Sequence, residues 1–464
     1  MSIYLFLVIF SGLTIFYTLL GIYASKNVNS VSDYFLADRK LGFFNVAFTL
    51  IAIQLGGGML LGTSQKAYYI GLYGILYTLG MSVGFILLSL GFAAKLQTLK
   101  IDTTAQIFEI KYKSTFLRKF ASLLSILTLC GIFICQIVAS KTLLNGIGIY
   151  NEFLFIFFWL FIISYTIIGG LKAVAMTDAA QVIFIIIIFG SLFLYNILQS
   201  NDLISTISFV TKNQNKFILN YETFMTLLPT LVMPALFSLI EQDLAQQFFA
   251  SKTKRIATLS AIAAGLFMTV FALIPIYFGA KAKVLGLNLP GNCSPLTAFL
   301  SYQTNDFVLS LAICGIIAAI TSTANSLLCA ISSNIAQDFN IPLKLNKLKL
   351  AKIITLITGL TCLVLSYTIG YDVIDILIES YQISVICLFV PLMFAIFSKN
   401  LSKFSAYCAI IFGLLSFLIL KPLNFHLSGL ISILFSLIGF LLAKKYYFPN
   451  QHCTNDAKGF VNKQ

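Results

Sequence analysis

Between Ile313 and Asp338 the chain reads ICGIIAAITSTANSLLCAISSNIAQD, and Thr321, Ser322, Thr323, Asn325, Ser326, Ser332, Ser333 and Asn334 set a dense row of polar side chains into an apolar run. Hard cations are held by oxygen ligands. Hydroxyls of one helix, set beside carbonyls released by a break in another, would hold a small cation without burying a net charge. Ser322 and Thr323 follow Ala319 by three and four residues and share its helix face. The competing reading is that such hydroxyls bond to their own backbone or join neighbouring helices. The row alone leaves both open.

A break of the required kind is written into Thr49 to Gly71, TLIAIQLGGGMLLGTSQKAYYIG, where Gly56, Gly57 and Gly58 interrupt a run that approaches a bilayer's thickness. Each glycine costs about 1 kcal/mol against alanine in a helix, and backbone freed inside hydrocarbon must find partners or line a cavity. Close approach of a neighbouring helix is the other use of small residues there. A second interrupted span, LLPTLVMPALFSLIEQDLAQQ from Leu227 to Gln247, carries Pro229 and Pro234, each of which removes a backbone donor and kinks a helix. It stands five spans after the first. Two interrupted spans at matching positions of two five-span halves point to an inverted-repeat secondary transporter with a midplane site.

Asp178, Glu241 and Asp243 lie at span edges. Ionisable groups at membrane depth are functional hypotheses; the alternative is solvated or salt-bridged helix ends at the cytoplasmic interface. Asp178 after Thr177 also reads as the start of a helix. Enzyme chemistry finds little support. His426 and His452 are far from any carboxylate pair, and HExxH, GxSxG and GxxxxGK[ST] are all absent. The nine cysteines show no metal-ligand spacing and read as small buried residues. No enzyme activity and no cofactor are expected.

The elements that must position these residues are membrane spans. With 59% hydrophobic and 10% charged residues and a mean hydropathy of +0.95, a water-soluble domain would expose large apolar patches. Runs of about 20 apolar residues occur thirteen times, near 2–24, 42–62, 72–98, 116–147, 152–170, 176–198, 224–242, 256–280, 307–336, 350–370, 373–397, 403–420 and 425–447. This predicts an all-α polytopic membrane protein: a first helix in 1–25, one half in 26–198 (spans 2 to 6), an external loop at 199–223, a second half in 224–398 (spans 7 to 11), two helices in 399–447 and a tail at 448–464. The first run lacks a basic leader and reads as a retained span. With the N-terminus outside, 23 of the 30 Lys and Arg fall on the cytoplasmic side, as the positive-inside bias requires. The net charge of +14 then means loops beside anionic lipid rather than nucleic-acid binding. The expected place is the cell (inner) membrane, with the C-terminus in the cytoplasm. Thr103 to Ser114 reads as a short surface helix, and LGLNLPGNCSPLTAF, 285–299, as a passive external loop or a lid.

Several stretches together resemble the sodium:solute symporter family, the group of proline, pantothenate and sugar symporters. Asp33-Tyr34-Phe35-Leu36-Ala37 with Arg39 and Leu41-Gly42 resembles its DYFLAGR-x-LG entry, with Asp38 for glycine. Gly62, Ala67-Tyr68 and Gly71 resemble the end of its second helix. Tyr165, Gly169-Gly170-Leu171, Ala173-Val174, Thr177-Asp178 and Gln181 resemble Y-x3-GGL-x-AV-x-TD-x2-Q, with Met176 where tryptophan is common. Gln242-Asp243 and Gln246 resemble QD-x2-QR, with Gln247 replacing the arginine. Ala318-Ala319, Ser322-Thr323 and Asp338 resemble AA-x2-ST and its following acid.

The resemblance implies thirteen helices and a five-plus-five inverted repeat of the leucine-transporter type. It implies a sodium site on the carbonyls of Ala52, Leu55 and Ala319 and the hydroxyls of Ser322 and Thr323. Asp178 matches a family acid linked to sodium coupling or cytoplasmic release, and solute contacts fall on Gln54, Gly57, Met59, Phe237 and Ser238. The expected function is sodium-coupled import of a small polar organic solute (amino acid, pantothenate, sugar or carboxylate) by alternating access. A proton-coupled carrier of the same fold and a membrane solute sensor are the alternatives, the sensor disfavoured because little chain follows Lys445.

Overall fold

The computed structural model describes residues 2–26, 28, 30–200, 206, 221–289, 293–339, 346–368, 373–399, 401–423 and 425–447. Most of the expected external loop at 199–223 and all of the tail at 448–464 lie outside the described residues.

Among the described residues the chain is helical, with one isolated bridge between Leu41 and Ser251 and no strand. In order the helices are α1 (Ile3–Ser25), α2 (Val31–Leu36), α3 (Phe43–Gln54), α4 (Thr63–Ile70), α5 (Leu76–Leu87), α6 (Ala93–Thr98), α7 (Ala105–Tyr112), α8 (Thr115–Gly146) and α9 (Glu152–Ser200). They continue as α10 (Tyr221–Ser238), α11 (Gln242–Ala250), α12 (Lys254–Phe271), α13 (Leu273–Val284), α14 (Pro295–Gln303), α15 (Asp306–Asp338), α16 (Lys347–Leu365), α17 (Val373–Phe397), α18 (Lys403–Leu420) and α19 (Ser428–Tyr447). Among the described residues eleven helical stretches are long and apolar enough to cross a membrane, against thirteen runs in the sequence. The difference arises where Gly58–Thr98 and Glu152–Gln199 each join two runs in one helical stretch.

The serine- and threonine-rich run forms the axis of the molecule. In α15, 83% of the apolar window is buried, against 11% in α1 at the periphery. Small residues explain this position: Gly315, Ala318, Ala319, Ser322 and Ala324 let α8, α9 and α3 pack against α15 at short range. Asn305 opens α15 by accepting the Val308 N–H at 2.9 Å. Large apolar side chains such as Val8, Phe157, Leu198, Val270, Val364 and Leu418 face outward, a surface suited to hydrocarbon rather than water.

Several local expectations change. α9 holds residues 152–200 with a break at Gly170 (φ 57°, ψ −165°); a Cβ at Gly170 would lie 2.5 Å from the Tyr34 carbonyl oxygen. Thr177 and Asp178 are therefore seven and eight residues past the break, inside a helix rather than at its start, and the Thr177 hydroxyl bonds back to Ala173 and Val174. α10 passes through Pro229 and Pro234; the interruption falls after them, at Leu239–Glu241, where Glu241 is extended (φ −65°, ψ 125°). Within residues 103–114 a helix does form, α7, but its Ile107, Phe108 and Tyr112 are buried. The segment expected as a passive loop contains α14, whose Leu296, Phe299 and Leu300 are buried and whose Ser294 cap lies 3.2 Å from Ser64 Oγ.

The motif Asp33–Arg39 shows why glycine is usual at the position of Asp38. Ala37, Asp38 and Arg39 all have positive φ (46°, 56° and 56°), a conformation that aspartate tolerates better than most side chains. The turn aims Arg39 at Asp102 (2.9 Å) and at the carbonyls of Ile101 and Phe249. Replacing Arg39 with alanine leaves those carbonyls and Asp102 without this donor, and the expected result is a lower melting temperature of the purified protein in detergent.

Candidate functional site

The two interrupted spans meet. α3 ends at Gln54, the chain bends through Leu55 and Gly56, and Gly58–Gly62 resume in a wider π-type turn. The break removes the N–H groups that would have capped the last carbonyls of α3. α15 fills the gap: Ser322 Oγ lies 3.3 Å from the Ala52 carbonyl and 2.9 Å from that of Ala319. Thr323 Oγ1 lies 3.1 Å from the carbonyls of both Ala52 and Ile53 and 3.2 Å from that of Ala319. Four of the five oxygens expected at the cation site thus converge within hydrogen-bond distance, on residues that are almost fully buried. Leu55 is buried beside them at the break.

Neighbouring ligands of a hard cation held at about 2.3–2.6 Å and set at right angles are about 3.3–3.7 Å apart, wider than most of the 2.9–3.3 Å spacings here, so the oxygens would part slightly around an ion. Hydroxyl protons now directed at carbonyls would turn away as lone pairs turned toward the ion. Among the described residues no group of three or more His, Cys, Asp or Glu has the arrangement of a metal site. Neutral oxygens are what this position offers.

The glycines serve close packing rather than unusual torsions, since none of the three has a positive φ. A Cβ on Gly56 would lie 2.7 Å from Thr323 Oγ1 and 2.8 Å from Gln136 Oε1, and one on Gly57 would meet the Ala139 methyl at 2.6 Å. Gln136, one amide within the apolar α8, accepts the Gly57 N–H at 2.8 Å. Nothing in its sequence context singles it out. Gln136→Leu strands that buried N–H at an expected cost of about 1–3 kcal/mol, to be read as a drop in melting temperature.

Beside the oxygens lies a narrow cavity of about 30 Å³ whose walls include Gln54, Met59, Phe237 and Ser238, four of the five expected solute contacts; Gly57 is flanked by Gly56 and Gly58, which line it. Thr323 belongs to both the cavity wall and the oxygen cluster. Gln54 Nε2 donates to Glu241 Oε2 at 3.1 Å, joining the first break to the second. Tyr77, Tyr381, Glu241 and Asp243 also line the space. Tyr381 stacks on Phe237, with centroids 4.6 Å apart and planes at 12°.

The acids are not solvated helix ends: Asp178, Glu241 and Asp243 are 0%, 6% and 1% exposed. Asp178 stands apart from the cavity, its Oδ2 accepting from Ser326 at 3.4 Å, one helical turn along α15 from Ser322. The other motif residues build a polar floor. Gln242 Oε1 accepts from the backbone and hydroxyl of Thr104, Gln246 donates to the Phe35 carbonyl, and Asp338 accepts from Thr103 and Arg118, both at 2.8 Å. Arg118 also holds Glu109 at 2.6 Å. Gln247, where an arginine was expected, is buried.

The profile of the sodium:solute symporter family matches residues 34–413. The human sodium/iodide cotransporter is 23% identical over 72% of the chain and 54% of its own length. The sodium/proline symporter of Haemophilus influenzae is 25% identical over 69% of the chain and 68% of its own length. A Drosophila melanogaster high-affinity choline transporter is 26% identical over 70% and 56%. The chain thus spans little more than half the length of two of these relatives. In fold it is similar to a Na⁺-coupled sialic acid symporter in a substrate-bound outward-open state (TM-score 0.84, 19% identity, 95% of this chain and 97% of the other). It is also similar to a nucleobase-cation-symport-1 family transporter in a closed conformation (TM-score 0.57, 13% identity, 91% and 96%).

Proposed function

Because the chain belongs to the sodium:solute symporter family, we propose that it is a sodium-coupled symporter that imports a small polar organic solute by alternating access. The observation that carries this reading is the meeting of Ser322 and Thr323 with the carbonyls at the break of α3, on a wall shared with the cavity. Sodium is held by the carbonyls of Ala52, Leu55 and Ala319 and the hydroxyls of Ser322 and Thr323. Binding it draws α15 and the broken helix together. Gly56 and Thr323 pass that movement directly to the solute space. Gln54, Gly57, Met59, Phe237 and Ser238 surround the solute, and Asp178, one turn below, serves release of the ion.

The eleven membrane-length stretches become thirteen crossings when Gly58–Thr98 turns at Gly71 (φ 62°) and α9 turns at Gly170. At about 1.5 Å per residue, the 49 residues of α9 are more than twice the thickness of a hydrocarbon core of about 30 Å. Crossings 2 to 6 and 7 to 11 then form the five-plus-five inverted repeat, with the breaks at 55–56 and 239–241 in matching positions. The N-terminus lies outside and the C-terminus in the cytoplasm of a cell (inner) membrane. A second cavity of about 400 Å³, lined by Lys66, Tyr73 and Asp375 and sharing Tyr77 with the first, is the external entrance. The floor of Arg118, Glu109 and Asp338 closes the inner side. At about 2.3 kcal/mol per charge per 100 mV and 1.4 kcal/mol per tenfold, one sodium ion supports roughly 40-fold accumulation from the potential alone.

Direct binding of radioactive sodium to the purified protein tests the site. The expected result is saturable binding that excess potassium does not displace and that Thr323→Ala weakens. Absence of saturable sodium binding would overturn the proposal.

A further inference from the structure

The cavity between the two breaks has two carboxylates on its walls and no Lys, Arg or His among the residues that line it. Both acids are buried. Glu241 Oε2 is engaged by the Gln54 amide, and Asp243 Oδ1 accepts the N–H of Leu244 at 3.0 Å in the first turn of α11. Asp243 Oδ2, 1% exposed as a residue, receives no N–H or O–H donor and lies beside the Glu241 carboxyl. The hydroxyl of Tyr381, 2% exposed, has no hydrogen-bond partner. A carboxylate out of water is costly unless opposite charge reaches it or it takes up a proton. The walls supply amide and backbone dipoles but no cation, so any positive charge that balances the pair comes with what fills the space.

From this geometry we propose that the transported solute is an organic cation whose ammonium head sits between Glu241 and Asp243 and whose body lies against Tyr77, Phe237 and Tyr381. The inference rests on the reading of this cavity as the solute site and narrows its class. The stacked pair Phe237–Tyr381 and the ring of Tyr77 supply aromatic faces of the kind that attract an ammonium group. Asp243 Oδ2 and the Tyr381 hydroxyl provide the unmet hydrogen-bonding positions. The helix N-terminus at Leu244 and the amide of Gln54 stabilise the negative charge that one monovalent head leaves over. A neutral sugar could donate hydroxyls to the acids but would bring no charge, and an anionic carboxylate would be repelled by them.

The test is ligand-induced thermal stabilisation of the purified full chain in detergent, measured in sodium chloride and in potassium chloride. The probes are choline, betaine, ethanolamine and putrescine, against glucose, pantothenate and lactate. Selective stabilisation by one or more ammonium compounds is expected, with the apparent dissociation constant about 30-fold higher in Glu241→Gln or Asp243→Asn, as loss of one buried charge partner implies. Stabilisation by glucose, pantothenate or lactate in preference to the ammonium compounds would overturn the inference, as would no response to any ammonium compound or an unchanged ammonium affinity in both variants. The wild-type comparison decides even if neither variant folds. Ammonium binding indifferent to sodium would count against sodium coupling while leaving this inference standing. Sodium-stimulated binding of a neutral solute would do the reverse.

Discussion

In the double variant Ser322→Ala/Thr323→Ala, the sodium concentration for half-maximal uptake is expected to rise at least about tenfold. The two hydroxyls are the side-chain part of the proposed ligand set; the remaining ligands are backbone carbonyls that survive any substitution. The hydroxyls also occupy carbonyls of the broken helix, Ser322 that of Ala52 and Thr323 those of Ala52 and Ile53, at 3.1–3.3 Å. Removing them leaves the Ala52 and Ile53 carbonyls without those donors in a dry site, at a cost of about 1–3 kcal/mol per stranded group. Stability and sodium affinity therefore fall together. Two readouts separate them: the melting temperature without sodium reports the lost hydrogen bonds, and the rise in melting temperature on adding sodium reports the ion. A variant that melts lower but gains as much from sodium as the wild type would assign the hydroxyls to helix packing alone.

The second large effect is expected at Gly56. Any Cβ there would lie 2.7 Å from Thr323 Oγ1 and 2.8 Å from Gln136 Oε1, nearer than non-bonded carbon and oxygen approach. Thr323 is short, buried and set among three carbonyls, so it cannot swing aside without leaving the cluster. Gln136 is engaged by the Gly57 N–H at 2.8 Å. Overpacking of this kind costs about 1–3 kcal/mol or more, and here the strain falls between the oxygens and the solute cavity. Gly56→Val is expected to abolish sodium-dependent uptake, and Gly56→Ala to raise the sodium requirement by roughly tenfold, both in protein that still elutes as a single species. Wild-type uptake by Gly56→Val would show that the helix at the break is free to shift and that its packing does not set the site.

Much of the arrangement was legible in the chain because both halves of the site announce themselves locally. Three consecutive glycines mark a break, and eight polar side chains in one apolar run mark the helix that fills it. Family motifs then supplied the register, bringing Ala52, Ala319, Ser322 and Thr323 to one point that spacing alone did not single out. What stayed hidden depends on contacts distant in sequence. Gln136 is one amide in an apolar helix, and its significance appears only where Gly57 approaches it. Tyr77 and Tyr381 look like ordinary aromatic residues of a membrane helix until α5 and α17 bring them to the same cavity. Glu241 and Asp243 looked like interfacial acids because the prolines drew the break to 229–234. α10 runs through both prolines and unwinds after Ser238, which carries the two acids inward. Asp178 was misplaced for a similar reason: its helix begins beyond Gly170, so the acid sits a full two turns inside it.

The central claim is best tested by uptake into proteoliposomes of a labelled pool of ammonium compounds, amino acids, pantothenate, sugars and short carboxylates, with an inward sodium gradient and with potassium in its place. The expected result is accumulation of at least one solute that requires sodium and persists when the pH gradient is collapsed. Accumulation that survives replacement of sodium by potassium and disappears with the pH gradient would contradict it, leaving the hydroxyls of α15 as helix packing and the buried acids as carriers of protons.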